Sequence, residues 1–308
     1  MADKRYLRSP ITIIASRSGA LSAVGVLNIE GTDRYTLTIN LDSNNDGFFE
    51  ISELCRDYLE LAFSGTYSSY SIDVDFTITY YDAVDGGGST VGSAVTTSFY
   101  GVDGYTYYEE GSNVIVTGTP KAQSNLQVYL PDNTAGKIPT FSSTGFTYNA
   151  VTATQQTKTI GSDVFTINRF CVPKYTAFKI TFVNKFGAFQ DMWFTMKRTD
   201  TMNVTKEEYK TNMLNATGSY IVAKHARQTY NSMAKESFIL NTDFIKEDLN
   251  SVIEQLLQTE QCWILENSQT LPVIPKTSSL QFKTSLNDQL IQYTVEFDYA
   301  FDKINNIR

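Results

Sequence analysis

The residues best spaced to do chemistry lie in the stretch INLDSNNDGFFEISELC. Asp42, Asn44, Asp46, Gly47 and Glu53 fit the spacing D-x-[DN]-x-[DN]-G-x5-E of a calcium-binding EF-hand loop. Oxygen donors at alternate positions, a glycine for a sharp turn and a distal bidentate carboxylate are what a hard cation requires. The preceding DRYTLTINL alternates as a strand, so a helix-loop-helix is ruled out even if a helix follows. Asp/Asn-Gly runs also make ordinary turns, because Asn and Asp tolerate left-handed backbone angles and Gly permits them. Two readings therefore stand: calcium ligation by Asp42, Asn44, Asp46 and Glu53, and a plain strand-to-helix connection. The strand before the loop favours the second.

Other chemistry is sparse. The single histidine, His225, lies between Lys224 and Arg227 in AKHARQTY, a setting typical of a surface residue, and no G-x-S-x-G or H-E-x-x-H pattern accompanies it. Carboxylates occur in close pairs, Asp73 with Asp75 and Glu207 with Glu208, and two carboxylates are the minimum equipment of a glycosidase. Pairs adjacent in sequence are more often solvated faces. Three widely spaced cysteines, Cys55, Cys171 and Cys262, suggest neither a disulfide framework nor a thiolate zinc site. The expectation is a protein that is not an enzyme and needs no cofactor, calcium being the one candidate.

The elements that must position these residues are mostly strands. In SIDVDFTITYYD, Ile72, Val74, Phe76, Ile78 and Tyr80 alternate with polar residues, the period of a strand with one wet face. IQYTVEFDYAFDKI repeats the pattern from Ile291 to Phe301, and shorter runs cover 35–41, 126–130 and 178–182. Nineteen Tyr and 19 Phe suit half-buried sheets. Against this background TDFIKEDLNSVIEQLLQ reads as an amphipathic helix over about 243–258, ISELCRDYLELAF as a shorter one, and TKEEYKTNML as a third, weaker helical stretch. The Thr/Ser/Gln-rich stretch 148–159 is the best place for a boundary. The predicted fold is mainly β with a few helices: two β-sandwich-like domains, 1–150 and 160–308, each with an inserted helix.

Length and charge limit the partners. A chain of 308 residues with 42% hydrophobics can bury one large core or two ordinary ones. The net charge of -8 argues against sequence-specific nucleic-acid binding, which needs a basic surface. No stretch approaches the roughly 18 apolar residues of a membrane helix, and MADKRYLRSPITIIAS lacks a signal-peptide pattern, so the sequence predicts a soluble protein made in a reducing cytoplasm.

The passages VNKFGAFQDMWFTMKRTD, ESFILNTDFIKEDLNSVIEQLLQTEQCWI and LPVIPKTSSLQFKTSLNDQLIQYTVEFDYAFDKINNIR, with SPITIIAS and FEISELCRDYLELAF nearer the start, resemble virion structural proteins of tailed bacteriophages, particularly of marine and Bacteroidetes hosts. The resemblance covers about half the chain. It implies a subunit of the tail, tail hub or baseplate that assembles in the host cytoplasm into a ring or cylinder with copies of itself and with other tail or connector proteins. It brings no catalytic or ligand residues. The alternative is a tail-tip adhesin that binds or depolymerises glycans. Aromatic residues are favoured interface anchors, so the interface candidates are two turn-rich loops: one with Gly86, Gly87 and Gly88, the other with Tyr105, Tyr107 and Tyr108. The rival reading is that these tyrosines fold back on their own sheet.

Overall fold

The alternation from Ile72 to Tyr80 becomes β6 (Ile72–Tyr81), the middle strand of a five-stranded sheet of order β1-β7-β6-β3-β4. Its companions are β1 (Asp3–Tyr6), β3 (Ser22–Ile29), β4 (Thr32–Asn40) and β7 (Val95–Val102). All neighbours are antiparallel except β1 and β7. In this computed structural model the described residues are 3–107, 128–142, 145–170, 174–277 and 291–303. Over these the protein is mainly β with a few short helices, as its sequence predicts.

The chain divides into two units. The first comprises Met1–Val172, Thr181–Met192 and Ser251–Thr259, the second Pro173–Ile180, Trp193–Asn250 and Glu260–Arg308. The boundary predicted at 148–159 is not where the chain divides. That stretch lies inside the first unit, where it takes in the end of β10 (Gly145–Val151), which pairs with β9 (Gly136–Ser142), the connection 152–156, and the start of β11 (Thr157–Ile160), which pairs with β12 (Asp163–Phe170). Its polar residues are strand residues and a short turn that carries the chain from one sheet to the next.

In the first unit the apolar face of the five-stranded sheet is covered by a two-stranded pair, β2 (Thr12–Ser16) and β5 (Asp46–Glu50), giving a sandwich-like pair of layers. Ile13, Ala15 and Phe49 share one buried cluster with Leu27, Val74 and Phe76, and the Phe49 and Phe76 rings meet edge to face at 5.1 Å. Gly25 of β3 sits under Phe76, where a β-carbon would come within 2.2 Å of the ring, so only glycine fits. The opposite face is polar, with Thr77 and Thr96 hydroxyls 2.9 Å apart and Ser98 donating to Asp75. Asp73 and Asp75 lie there as a solvated face, and the Asp73 carboxyl is held above the usual range by partial desolvation, Asp75 and Glu30.

The first unit also holds a cation bound to backbone carbonyls. Arg169 of β12 donates to the carbonyls of Pro131 (3.0 Å), Thr134 (2.7 Å), Thr152 (2.7 Å) and Gln155 (3.1 and 3.2 Å). The guanidinium thus gathers two connections around one planar fork.

Both expected helices exist in shortened form. ISELCRDYLELAF yields only α1 (Ser52–Arg56), with Cys55 facing the core. The later helix is α2 (Asn250–Gln258), preceded by a tight turn at Glu247–Leu249. It starts after 243 because Ile245 is drawn into a bridge with Ile291 and Lys246 is extended. All but its first residue belong to the first unit, although the sequence places the helix in the second. There the Gln255 side chain accepts the Lys185 N–H at 3.1 Å, and Val252, Ile253 and Leu256 are buried.

The second unit is built on strands in the order β17-β18-β19-β16-β15. These are β15 (Thr199–Lys210), β16 (Arg227–Asn241), β17 (Cys262–Glu266), β18 (Gln269–Pro275) and β19 (Thr294–Tyr299). Phe238 stacks on Phe297 at 5.4 Å, with Leu240 and Val295 buried on the same two strands. Cys55 and Cys262 are free and buried, and burial pushes the Cys55 thiol up to about 12. Cys171 lies outside the described residues. Among the described residues no helix is long and apolar enough to cross a membrane.

Candidate functional site

Asp42 lies in the turn between β4 and β5, and its carboxylate accepts the N–H groups of Asn44 (2.8 Å) and Asp46 (2.9 Å). The Asp42 N–H donates to the Asp46 carbonyl at 2.9 Å, while Asn45 takes a left-handed φ of 64°. This is turn chemistry of the kind the Asp/Asn-Gly run predicts. Beyond it β5 carries the chain about 15 Å at the rise of a strand before Glu53 appears on α1. Asp42, Asn44 and Asp46 stay together in the turn, and Glu53 does not close around them. Among the described residues no group of three or more His, Cys, Asp or Glu is gathered as metal ligands.

The two N–H donors hold the Asp42 carboxyl below its usual range. A carboxyl depressed in the folded state contributes stability that is complete above its unfolded pKa, about 4, and is lost as pH falls through the folded value. Asp42→Ala is therefore expected to melt below wild type at neutral pH, with the gap closing as pH falls below about 4, followed by circular dichroism. A calcium-chelator-induced drop in the wild-type melting temperature, absent in Asp42→Ala with Glu53→Ala, would instead assign metal to the loop.

The glycine run is a packed turn. Asn40 and Asp85 exchange hydrogen bonds at 2.9 and 2.7 Å, the Gly86 N–H donates to the Ser22 hydroxyl at 2.9 Å, and the Ser89 N–H to Asp82 at 2.7 Å. Gly86 and Gly88 have φ of 76° and 80°, and at Gly88 a β-carbon would meet the Asp82 carboxylate at 2.1 Å. Gly86, Gly87 and Gly88 therefore serve the turn. Tyr105 is only 9% exposed, sits edge to face with Tyr107 at 5.7 Å and lies under the Arg8 guanidinium, 4.7 Å away. Burial pushes its phenol up to about 12. The Tyr107 hydroxyl donates to Gln258 at 3.2 Å. Both rings fold back within the first unit, which leaves Tyr105 little free surface, and Tyr108 lies outside the described residues.

The surface the sequence reading missed is the β15–β16 arm of the second unit. All twelve residues of β15 pair with β16, through a bulge at Glu207/Glu208, and all twelve are exposed. TKEEYKTNML reads as helix because Lys206, Glu207 and Glu208 are good helix formers, but pairing with 227–241 overrides that propensity. β19 supports β16 only over 237–241, and the Lys303 N–H adds one further bond to the Ala234 carbonyl at 2.9 Å. Beyond that both faces of the hairpin are wet over much of its length, a marginal arrangement for two strands alone. Met202, Val204, Tyr209, Tyr230 and Met233 are nonetheless exposed along it.

The arm is well made at both ends. At its root Arg198 donates to Asp200 (2.5 Å), Glu266 (2.9 Å) and the Tyr299 hydroxyl (3.0 Å) and lies 4.5 Å from the Phe238 ring. Tyr299 in turn donates to Glu266 at 2.6 Å. At the tip the Asn215 side chain accepts the N–H groups of Thr217 (3.0 Å) and Ser219 (2.8 Å), Gly218 supplies a φ of 78°, and Leu214 bridges Tyr220. Leu214, Tyr220, Ile221 and Val222 are exposed there, Val222 at 84%. His225 and the Glu207/Glu208 pair are exposed on this arm too. A signal was available: TMNVT and RQTYNSM both alternate loosely, but nothing local says that they pair with each other. Comparison of the chain with known protein families, with curated proteins and with solved structures finds no match.

Proposed function

We propose that this protein is a non-enzymatic structural subunit of a tailed-phage virion, in the tail, tail hub or baseplate, which works by assembling with copies of itself and neighbouring proteins. The observation that carries the assembly part is the β15–β16 arm, an exposed edge strand of twelve residues with apolar side chains along it and at its tip. An unpaired strand edge is a template for a partner strand, and soluble proteins usually blunt or cover it. Here the root is fixed by Arg198 while, among the described residues, the rest is left uncovered, as suits an element that finds its cover in an assembly. The virion setting rests on the resemblance in the sequence.

The test removes the arm and keeps its root. Because Asn203 pairs with Lys235, replacing 204–234 by Asn-Gly leaves a two-residue hairpin turn in register. This variant is expected to remain folded by circular dichroism and to sediment as a monomer under conditions in which wild type forms larger species. Assembly equal to wild type would remove the arm from the interface. Absence of the protein from purified phage particles by mass spectrometry would refute the virion setting.

A further inference from the structure

A second exposed apolar site lies in the first unit, on the outward face of the β2–β5 pair. Ile14 and Phe48 are opposite each other in the register and are 70% and 65% exposed, while their neighbours Ile13, Ala15 and Phe49 point into the core. The same outward face ends in carboxylates. Asp46 stands opposite Ser16 at one end, with Asp42 in the adjoining turn, and Glu50 stands opposite Thr12 at the other. The nearest cation in sequence, Arg17, is engaged elsewhere, with its guanidinium on the Ser93 carbonyl at 3.0 Å and 4.8 Å from the Tyr80 ring.

The tip of the arm has the opposite character. From 209 to 227 it holds Lys210, Lys224 and Arg227 and no carboxylate, a local charge of +3 in a chain whose net charge is -8. The remaining residues therefore carry -11. The β2–β5 pair with its turn holds Asp42, Asp46 and Glu50 and no cation, a local charge of -3. An apolar centre flanked by cations and an apolar centre flanked by carboxylates are complementary in both hydrophobicity and sign. Among the described residues neither is covered.

We propose that the tip of the β15–β16 arm of one copy docks on the outward β2–β5 face of a second copy, Tyr220 and Val222 against Ile14 and Phe48. The proposal rests on the self-assembly reading above and gives that reading a partner and a polarity. Such a contact is heterologous: each copy offers a tip and a face, so copies add head to tail and close into a ring or extend as a filament. The apolar centre supplies affinity, and the charges set register and speed encounter, so salt weakens association.

The test uses the full chain in sedimentation velocity, with Val222→Asp in the tip and Phe48→Asp in the face. Both positions are exposed, so both variants are expected to keep the wild-type circular dichroism and melting curve. Each alone is expected to associate roughly tenfold more weakly or worse, the scale of losing a central interface anchor. Mixed in equal amounts they are expected to form a complex of one copy of each that grows no further, because Phe48→Asp keeps an intact tip and Val222→Asp an intact face. Wild-type association by either variant alone, or no complex in the mixture, overturns this pairing while leaving self-assembly standing. Wild type that stays monomeric at every concentration overturns the pairing and the self-assembly reading together. If an aspartate variant misfolds, Val222→Ser and Phe48→Ser carry the same comparison.

Discussion

Leu256→Asp is expected to unfold the first unit. Leu256 is fully buried on α2 beside Val252 and Ile253, and that helix counts with the first unit from Ser251 onward. Removing a buried leucine costs about 2–5 kcal/mol through lost transfer energy and the cavity left behind. An aspartate in its place adds the desolvation of a charge without a partner, so the total should exceed about 5 kcal/mol, comparable with the whole stability of a domain. Hydrogen exchange reads the result by location. Amides of β3 and β6 should lose protection first, while those of β16 and β19 should keep it longer. Loss that begins in β16 and β19 would assign the helix to the second unit after all. Normal melting with failed association would make α2 an interface helix, which its buried stripe argues against.

Arg169→Met should destabilise the protein by about 3 kcal/mol, because the methionine keeps the apolar stem and removes charge-assisted hydrogen bonds to four carbonyls. Denaturant unfolding measures it as a lower midpoint at unchanged slope. Arg169→Lys should recover only part of the loss, since a single ammonium cannot reach carbonyls arranged around a planar fork. Full recovery by lysine would show that charge alone holds the two connections. Equal stability of the methionine variant would show that water serves those carbonyls as well as the guanidinium does.

What could be read from the sequence was local. Ile72 to Tyr80 declares a strand because side chains alternate across a pleat, and the stripe from Val252 to Leu256 declares a helix because 3.6 residues make a turn. The same logic failed where pairing is distant. Residues 205–210 have helical propensity and become a strand because 227–233 lie opposite them, a partner that no window around Lys206 contains. The helix was legible and its unit was not, since nothing in Asn250–Gln258 names the core it enters. At the candidate sites the turn residues were legible as turns. Asp42 and Gly88 do what Asp and Gly do in tight connections, whereas the fate of Tyr105 depended on Arg8, nearly a hundred residues earlier in the chain. The exposed faces at Ile14–Phe48 and at the arm tip were illegible for the opposite reason: apolar residues give no sign in sequence of whether anything covers them.

The late position of α2 also has a consequence in time. The main body of the first unit ends at Val172, but Ser251–Thr259 must arrive before its core is complete. At a synthesis rate of about 5–20 residues per second, the ribosome needs roughly 4–16 seconds to make the intervening segment. Throughout that interval the nascent first unit presents an unfilled apolar slot, and the β15–β16 arm, with its open edge, is made before the slot is filled. The order of synthesis therefore puts an open-edged strand into the nascent chain before the first unit's core is finished. Chaperone binding and slow, cool expression should matter more for this protein than its final stability would suggest.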